Sequence, residues 1–349
     1  MIKVTGKYIY GIISPALDDN AMAGMECPGI HAANCGKFSA VVEDSDIVDY
    51  KNMDRNSLTT RLLKHQKVIE SLMGMGCTVI PMRLGTVARN KQEVVAILEK
   101  SSSLLKDIMG KIGGKIEIDI IARWNSFPAV IKLVSEETEI KEFKEKLMAG
   151  SAQITVEDQK KAGLMVMQAL ERRRDAYSQR IQDALVPASH GIKINDAIDE
   201  QIVFNSAFLI DKRGQELFDA EVEKINTEFN GELNFKYVGP LPCYSFYTIE
   251  VDKLNFAALD HAREKLGLGS SATRDEIKSA YKMKASAVHP DKNPEMPGIE
   301  KEFDETNKAY KILMDYCAAS DMASKNTKYS FLEKDINDNS LLVKLRDQL

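Results

Sequence analysis

The strongest constraint on the fold lies in residues 258–316, where the sequence favours two helices joined by a short polar loop. Thr273 and Glu276 have the spacing of a capping box, in which each side chain satisfies the backbone N–H of the other residue. The apolar side chains that follow repeat with the period of one helical face, at Ile277, Ala280, Tyr281, Ala285 and Val288. Pro290 cannot continue this helix. A further helix follows the polar loop that ends near Gly298, so we predict a small antiparallel helix pair.

The predicted helix pair carries two polar features. Arg274, Lys278 and Lys282 form a basic row at intervals of four residues, away from the apolar face. The tripeptide His289-Pro290-Asp291 stands at the exposed tip between the two helices. This tripeptide alone is ordinary turn chemistry, because Pro and Asp favour turns in many proteins. Its combination with the basic row, the loop length and the following helix is specific.

The whole stretch resembles the J domain of DnaJ-type co-chaperones. The matching segments are Leu266-Gly267-Leu268, Ile277-Lys278-x-Ala280-Tyr281-Lys282, His289-Pro290-Asp291-Lys292-Asn293 and Phe303-x-x-x-Asn307-x-Ala309-Tyr310-x-x-Leu313-x-Asp315. The resemblance implies docking on a DnaK-type chaperone, where His289, Pro290 and Asp291 contact the ATPase domain and its linker. It also implies a basic docking face that consists of Arg274, Lys278 and Lys282. A basic helix that meets an acidic patch is typical of steered, transient association.

Four residues depart from the J-domain pattern. Met283 and Ala287 stand where basic residues are frequent, Lys284 takes a usual core leucine position, and Thr306 replaces a usual apolar residue. The sequence also lacks the Gly/Phe-rich linker and the cysteine-rich zinc module of full-length DnaJ proteins. We therefore expect weaker or partner-specific docking, and we expect client binding to reside elsewhere in the chain.

Residues 1–252 have mixed strand and helix patterns. Strands are predicted at 7–14, 36–43, 77–82, 115–124 and 128–134, and helices at 56–75 and 90–112. This order predicts an α+β domain of ferredoxin-like type at 1–135. A helical segment plus a second α+β unit is predicted at 136–252. Its β-α-β-β pattern comprises 202–209, 215–229, 233–238 and 245–251, which is half of another ferredoxin-like fold.

The C-terminal third completes the predicted organisation. A small all-α J domain, the antiparallel helix pair, is predicted at 255–318. Residues 319–349 are predicted to be a polar tail with a short amphipathic end at Leu341, Leu342 and Leu345. This end either docks back on the protein or binds a partner.

Composition and charge narrow the function classes. The net charge is −5 and the charges are spread, whereas a nucleic-acid partner would need a concentrated basic surface. No window approaches the roughly 20 apolar residues of a membrane span, and no secretory signal is evident. Cys27, His31 and Cys35 form an incomplete zinc-ligand set among five scattered cysteines, and loop residues are favoured there over a metal site. We expect a cytoplasmic protein with no nucleic-acid or lipid-membrane partner, no metal and no cofactor.

Arginines at two places admit two interpretations each. Arg83 lies within an apolar run, where pairing at the rim of a strand is favoured over an anion site. Arg172, Arg173 and Arg174 lie on a long predicted helix at 158–185. Local ion pairs on a solvated helix are favoured there over a site for an acidic partner.

Residues 1–252 resemble the gas vesicle GvpF/GvpL family. The matching segments, in order, are Tyr8-Ile-Tyr-Gly-Ile12, Val79-Ile-Pro-Met-Arg-Leu-Gly-Thr-Val87, Asn205-Ser-Ala-Phe-Leu-Ile-Asp211 and Gly239-Pro-Leu-Pro-Cys-Tyr-Ser-Phe246. The match departs at Leu241 and Cys243, where the family favours Trp and Pro. The resemblance implies a non-enzymatic accessory or minor structural protein that associates with the gas vesicle shell protein.

Together the two resemblances predict a gas vesicle assembly protein. It would bind shell protein among other accessory proteins, recruit a DnaK-type chaperone and stimulate its ATPase, in the cytoplasm at the gas vesicle. One alternative is a minor structural component of the vesicle surface with a vestigial J domain. The other is a ferredoxin-like small-molecule enzyme or sensor with an accessory J domain. No phosphate loop, Gly-x-Ser-x-Gly or His-Glu-x-x-His occurs in 1–252, so we expect no enzyme.

Overall fold

The computed structural model describes residues 5–17, 22, 27–46, 50, 53–149, 154–323, 327–338 and 341–345. Contacts group the chain into two units. The first unit combines Met1–Lys111 with Tyr247–Leu349, and the second unit is Ile112–Phe246. The predicted domain limits at 135, 252 and 318 stay predictions. Among the helices of the described residues, none is both long and apolar enough to cross a membrane.

The N-terminal part of the first unit is built on an antiparallel sheet. Its elements are β1 (Thr5–Ser14), β2 (Ile30–Cys35), β3 (Phe38–Asp46), α1 (Arg55–Gly74), β4 (Thr78–Pro81), β5 (Val87–Ala88), α2 (Lys91–Lys100) and α3 (Ser102–Ile112). The strand order is β2-β3-β1-β4, and β5 also pairs with β1. Every neighbouring pair is antiparallel, as in a ferredoxin-like sheet. The mixed α+β class predicted from the sequence is confirmed.

Apolar strands and capped helices explain this part of the fold. The central strand β1 is covered on both faces, and its Ile9, Ile12 and Ile13 are at most 1% exposed. Asn90 caps α2, because its Oδ1 accepts the N–H of Glu93 at 2.9 Å. The prediction of one helix at 90–112 is wrong at Ser101. There the hydroxyl donates to the carbonyl of Ile97 at 2.6 Å, and the chain divides into α2 and α3.

The second unit contains a sheet of the same order. Its elements are β6 (Lys115–Trp124), α4 (Phe127–Ser135), α5 (Thr138–Ala149), α6 (Val156–Leu185), β7 (Gly191–Ile194), β8 (Ile202–Asp211), α7 (Gln215–Glu228) and β9 (Leu233–Leu241). The order is β7-β8-β6-β9, again with antiparallel neighbours. Three residues of β6, Ile116, Ile118 and Ile120, are at most 1% exposed. Two ferredoxin-like strand orders therefore occur in one chain.

Of two strand predictions near this unit, one gives the right strand in the wrong sheet and the other is wrong. Residues 115–124 form a strand, but it is the first strand of the second sheet and does not pair with the N-terminal sheet. Residues 128–134 are not a strand, because they lie in α4. Pro128 is compatible with the first helical turn, where its missing N–H has no partner to lose. The buried residues of α4, Val130 and Val134, are spaced by one helical turn.

The C-terminal part of the first unit is mainly helical. Its elements are β10 (Ile249–Lys253), α8 (Phe256–Lys265), β11 (Ser271–Ala272), α9 (Arg274–Ala287), α10 (Ile299–Ala323), β12 (Tyr329–Ser330), α11 (Glu333–Asp338) and β13 (Leu341–Leu345). β10 pairs with β13, so the prediction that 245–251 completes the β-α-β-β unit is wrong. The predicted amphipathic end is strand β13, which docks back on the protein. The predicted polar tail also contains the end of α10, β12 and α11.

Candidate functional site

The candidate site is built on the hairpin of α9 and α10. The capping box of α9 is formed as predicted. Thr273 Oγ1 accepts the N–H of Glu276 at 3.1 Å, and Glu276 Oε2 accepts the N–H of Thr273 at 2.7 Å. The core below the hairpin contains Leu259, Ile277 and Leu313, each 0% exposed. The hairpin therefore has a rigid apolar base, and its polar residues lie on the outside.

The loop after α9 is held in one shape by hydrogen bonds. His289 Nδ1 accepts the N–H of Asp291 at 3.2 Å, and Pro290–Lys292 form a 3-10 turn. The side-chain amide of Asn293 donates to the carbonyls of Ala287 at 2.9 Å and His289 at 3.1 Å. The His289 ring meets the Phe303 ring edge-on at 5.1 Å between centroids. The carboxylate of Asp291, with a side chain 89% exposed, is consequently presented to solvent on a fixed turn.

The basic row divides into free and bound side chains. Lys278 and Lys282 are exposed, and neither makes an ion pair with any residue that the structure describes. Arg274 differs, because its Nη2 lies 2.6 Å from Asp321 Oδ2 and its Nε donates to the hydroxyl of Tyr329 at 2.9 Å. The structure therefore places two free lysines on the helix that leads into the loop. The predicted docking roles of all six residues stay predictions.

The first unit also contains a polar cleft of about 660 Å³ beside β1 and α1. Its walls include Tyr8, Tyr10 and Glu43, and the hydroxyl of Tyr10 donates to Glu43 Oε2 at 2.5 Å. Behind it, His65 Nδ1 lies 2.7 Å from the hydroxyl of Tyr8. Burial lowers the pKa of His65 to about 4, so its imidazole is neutral at pH 7. The partner of His65 could not be predicted from the sequence, because Tyr8 lies 57 residues away.

The other singled-out side chains lie in local ion pairs or strands. Arg83 Nη1 is 3.3 Å from Glu250 Oε1, which fits the rim pairing rather than an anion site. Arg172 and Arg173 pair with Glu137 at 3.3 Å and Glu232 at 3.1 Å. His31 and Cys35 lie on strand β2, so the loop expected there is wrong. Within the described part of the chain, no group of three or more His, Cys, Asp or Glu is arranged to hold a metal ion.

Comparison with known proteins decides the family. The family model described as gas vesicle synthesis protein GvpL/GvpF matches residues 6–248. The chain belongs to the GvpL/GvpF family. The gas vesicle protein F of Nostoc sp. is 25% identical over 248 residues, which are 70% of this chain and 99% of that protein. The crystal structure of GvpF from Anabaena sp. has a TM-score of 0.61 at 24% identity, and it covers 69% of this chain and 98% of that one. The structural likeness confirms the GvpF-like fold.

A second match covers the hairpin of this GvpL/GvpF protein. The DnaJ domain model matches residues 264–319. The chaperone protein DnaJ of Prosthecochloris aestuarii is 54% identical over 50 residues, which are 14% of this chain and 13% of that protein. The likeness to DnaJ proteins is therefore confined to the J domain. The chain combines a GvpL/GvpF region with a chaperone-interacting domain.

The departures from the J-domain pattern are accommodated without disturbing the hairpin. Lys284 does not enter the core, because its Nζ lies 3.8 Å from Glu302 Oε1 and its side chain is 41% exposed. Thr306 is fully buried, and its hydroxyl donates to the carbonyl of Glu302 at 2.8 Å. This bond satisfies the only polar hydrogen of the side chain. Met283 is exposed, so the loss of a basic residue there leaves an apolar spot on the docking helix.

A set of C-terminal residues that contacts this J domain was not predicted from the sequence. We define the clasp as Asp321, Tyr329 and Ser330. Asp321 and Tyr329 hold Arg274 across 47 and 55 residues, and the hydroxyl of Tyr316 donates to the carbonyl of Ser330 at 2.6 Å. The short pair β11–β12 joins Ala272 to Tyr329. No local periodicity indicates contacts at such separations, and only the aromatic residues in a stretch predicted to be a polar tail hint at them.

Proposed function

We propose that the protein is a gas vesicle assembly factor that binds shell protein and recruits a DnaK-type chaperone, whose ATPase it stimulates. It works in the cytoplasm at the gas vesicle, beside other accessory proteins, and catalyses no reaction itself. One observation carries the proposal. The fixed His289–Asp291 turn and the free Lys278 and Lys282 occur in the same chain as a GvpL/GvpF region.

The physical reason for such a combination is the chemistry of a protein shell. Unassembled shell subunits expose apolar surface and unpaired strand edges, which promote aggregation. A factor that holds them and brings an ATP-driven chaperone would keep them competent for assembly. The exposed charges of the hairpin suit this task, because steered electrostatic encounters are fast and reversible.

The test of chaperone recruitment is the steady-state ATPase rate of a DnaK-type chaperone from the same organism. The full-length protein should raise this rate, and Asp291→Asn should abolish the increase. Glu295→Gln is the matched control, because it removes one exposed carboxylate from the same loop. Equal stimulation by the wild type and Asp291→Asn would contradict the proposed recruitment.

The test of the holding role is the binding of purified shell protein to the full-length chain. Binding that survives Asp291→Asn is expected, because the GvpL/GvpF region carries that role. Absence of shell-protein binding would contradict the holding role. Firm retention on intact vesicles without any ATPase stimulation would favour the alternative of a surface component with a vestigial J domain.

A further inference from the structure

The second unit has an apolar groove along α6, beside the end of β6 and the start of α4, that its own fold does not fill. The groove has a volume of about 350 Å³ and is lined by Trp124, Phe127, Gly163, Val166, Met167 and Leu170. The four residues from α6 are spaced by 3, 4 and 7, so they form one stripe along that helix. The floor is firm, because Trp124 is 5% exposed and its ring lies 5.3 Å from the ring of Tyr177.

The walls of this groove expose apolar side chains to solvent. Met167 is 49% exposed, and the neighbouring Leu164 is also 49% exposed. Methionine is flexible and polarisable, and it is frequent on surfaces that accept more than one apolar partner. Gly163 opens the groove further, since no heavy atom lies within 4 Å of the position where a Cβ would stand. An apolar groove beside a helix is a surface that can receive the apolar face of an amphipathic helix.

The charges at the rim identify the occupant more closely. Glu171 and Glu200 line the groove, and neither makes an ion pair with any other described residue. The third charged residue of the rim, Arg174, lies with its Nε 3.9 Å from Asp175 Oδ1, and the three charged lining residues together carry a net charge of −1. Two free carboxylates beside an apolar stripe complement a segment that carries lysine or arginine next to its apolar side chains.

We propose that this groove is the client-binding site of the protein and that it takes a basic amphipathic helical segment of an unassembled shell protein. The inference rests on the proposed function, which it deepens by naming the surface and the chemistry of the bound segment. The segment would place apolar side chains at one-turn intervals along the α6 stripe, against Trp124 and Phe127. Its basic residue would lie at Glu171 and Glu200.

The test uses a fluorescein-labelled helical peptide of about 16 residues, with leucines at positions spaced by 3, 4 and 7 and lysines beside them. Its affinity for the full-length protein is measured by fluorescence anisotropy. Gly163→Met should fill the groove and weaken binding about tenfold or more. Gly110→Met is the matched control, because Gly110 also lies on a helix with no heavy atom within 4 Å of an added Cβ. The control should leave the affinity within about twofold.

Two further measurements make the proposal specific. Replacing the peptide lysines by glutamates, or replacing Glu171 and Glu200 by glutamines, should weaken binding several-fold. Equal affinities of the wild type, Gly163→Met and Gly110→Met for the peptide would overturn the proposal. A wild-type dimer that Gly163→Met converts into a monomer would also overturn it, because a second copy would then occupy the groove. Both glycine variants must show unfolding temperatures close to that of the wild type.

The same variants separate this proposal from the proposed function. Shell protein that binds equally to the wild type and Gly163→Met overturns the groove proposal and leaves the holding role intact. Peptide binding that Gly163→Met weakens, without any binding of shell protein to the wild type, contradicts the holding role and overturns the assignment of shell protein as the occupant of the groove.

Discussion

The two units share one strand order but carry different additions. In the second unit, the connection from the first to the second strand, residues 125–190, contains α4, α5 and α6 and forms the apolar groove. The corresponding connection in the first unit is residues 15–29. That unit instead contains the J-domain hairpin, with the exposed Asp291, Lys278 and Lys282. The added segments, and not the sheets, therefore carry both proposed contact surfaces.

Two units with the same strand order therefore differ in the chemistry of their exposed surfaces. The hairpin presents charges to solvent, whereas the groove presents apolar side chains with two carboxylates at its rim. Charged surfaces respond to salt and to charge reversal, and apolar grooves respond to a change of volume. The buried ionisable groups of the two units also differ, since the first unit buries His65 and Glu93 and the second buries Glu117. Each difference can be tested separately.

The largest expected effect is on chaperone docking by the first unit. Changing both Lys278 and Lys282 to glutamate should weaken the chaperone complex roughly 100-fold, or about 2.7 kcal/mol, because attraction becomes repulsion. Lys224→Glu, an exposed position on α7 of the second unit, should leave the complex unchanged. Surface plasmon resonance at low and high salt measures both. A loss of the same size with Lys224→Glu would show that net charge, and not the hairpin, governs docking.

The next effect is the acid response of the first sheet. Burial lowers the pKa of His65 to about 4, against about 6.5 in the unfolded chain. Between these values the unfolded chain binds more protons, so stability falls as the pH is lowered. At pH 5 the loss should be roughly 2 kcal/mol relative to pH 8. Hydrogen exchange of β1 amides, corrected for intrinsic rates, measures it. The same slope in His65→Gln would contradict this cause.

The second sheet should respond in the opposite sense. Burial raises the pKa of Glu117 to about 7, although its carboxylate accepts the N–H of Ser245 at 2.8 Å and the Ser245 hydroxyl at 2.7 Å. The folded chain therefore holds more protons between about 4.5 and 7, and stability falls as the pH rises through 7. After correction for intrinsic exchange rates, the free energy of opening measured at the β6 amides should be higher at pH 5 than at pH 8 by roughly 2 kcal/mol. Glu117→Gln should remove this difference; persistence would assign it to another group.

The smallest effect concerns the clasp. Arg274→Met should lower the free energy of unfolding of the hairpin by about 1 kcal/mol, a value reduced for solvent screening. The side chains of Arg274 and Asp321 are 34% and 30% exposed. Lys278→Met removes a cation from the same helix and should change nothing, because Lys278 has no ion-pair partner among the described residues. Urea unfolding followed by exchange of α10 amides compares the two. Equal losses would mean that the clasp does not stabilise the hairpin.

The sequence predicts best where contacts are local. The capping box, the helical face through Ile277 and the stop at Pro290 involve neighbours within a few turns, and the structure confirms them. The helix at 128–134 and the break at Ser101 are local errors, and the other errors involve distant partners. Strand 115–124 pairs with β8 and β9, and β10 pairs with β13. Periodicity gives the type of such a strand but not the sheet in which it lies.

In the candidate site too, local features could be predicted from the sequence and long-range contacts could not. His289, Pro290 and Asp291 could be found from the sequence, because one turn and its flanking helix contain them. The hydrogen bond between Arg274 and Tyr329 could not be found from the sequence, because the loop and α10 lie between the two residues, which are 55 positions apart. The groove could not be predicted from the sequence either. Its α6 stripe lies on a helix that reads as solvated, and only the fold brings Trp124 and Phe127 beside it.

The protein is proposed to hold a client and to recruit a chaperone with one chain. The most direct test of this proposal is co-capture, in which immobilised shell protein retains a DnaK-type chaperone with ATP only when this protein is added. The Asp291→Asn variant should be retained by the immobilised shell protein but should not retain the chaperone. The Gly163→Met variant should not be retained by the shell protein, and the chaperone should be absent as well. Glu295→Gln and Gly110→Met should retain all three proteins. Chaperone retention that is unchanged with both the Asp291→Asn and the Gly163→Met variants would contradict these two proposed roles.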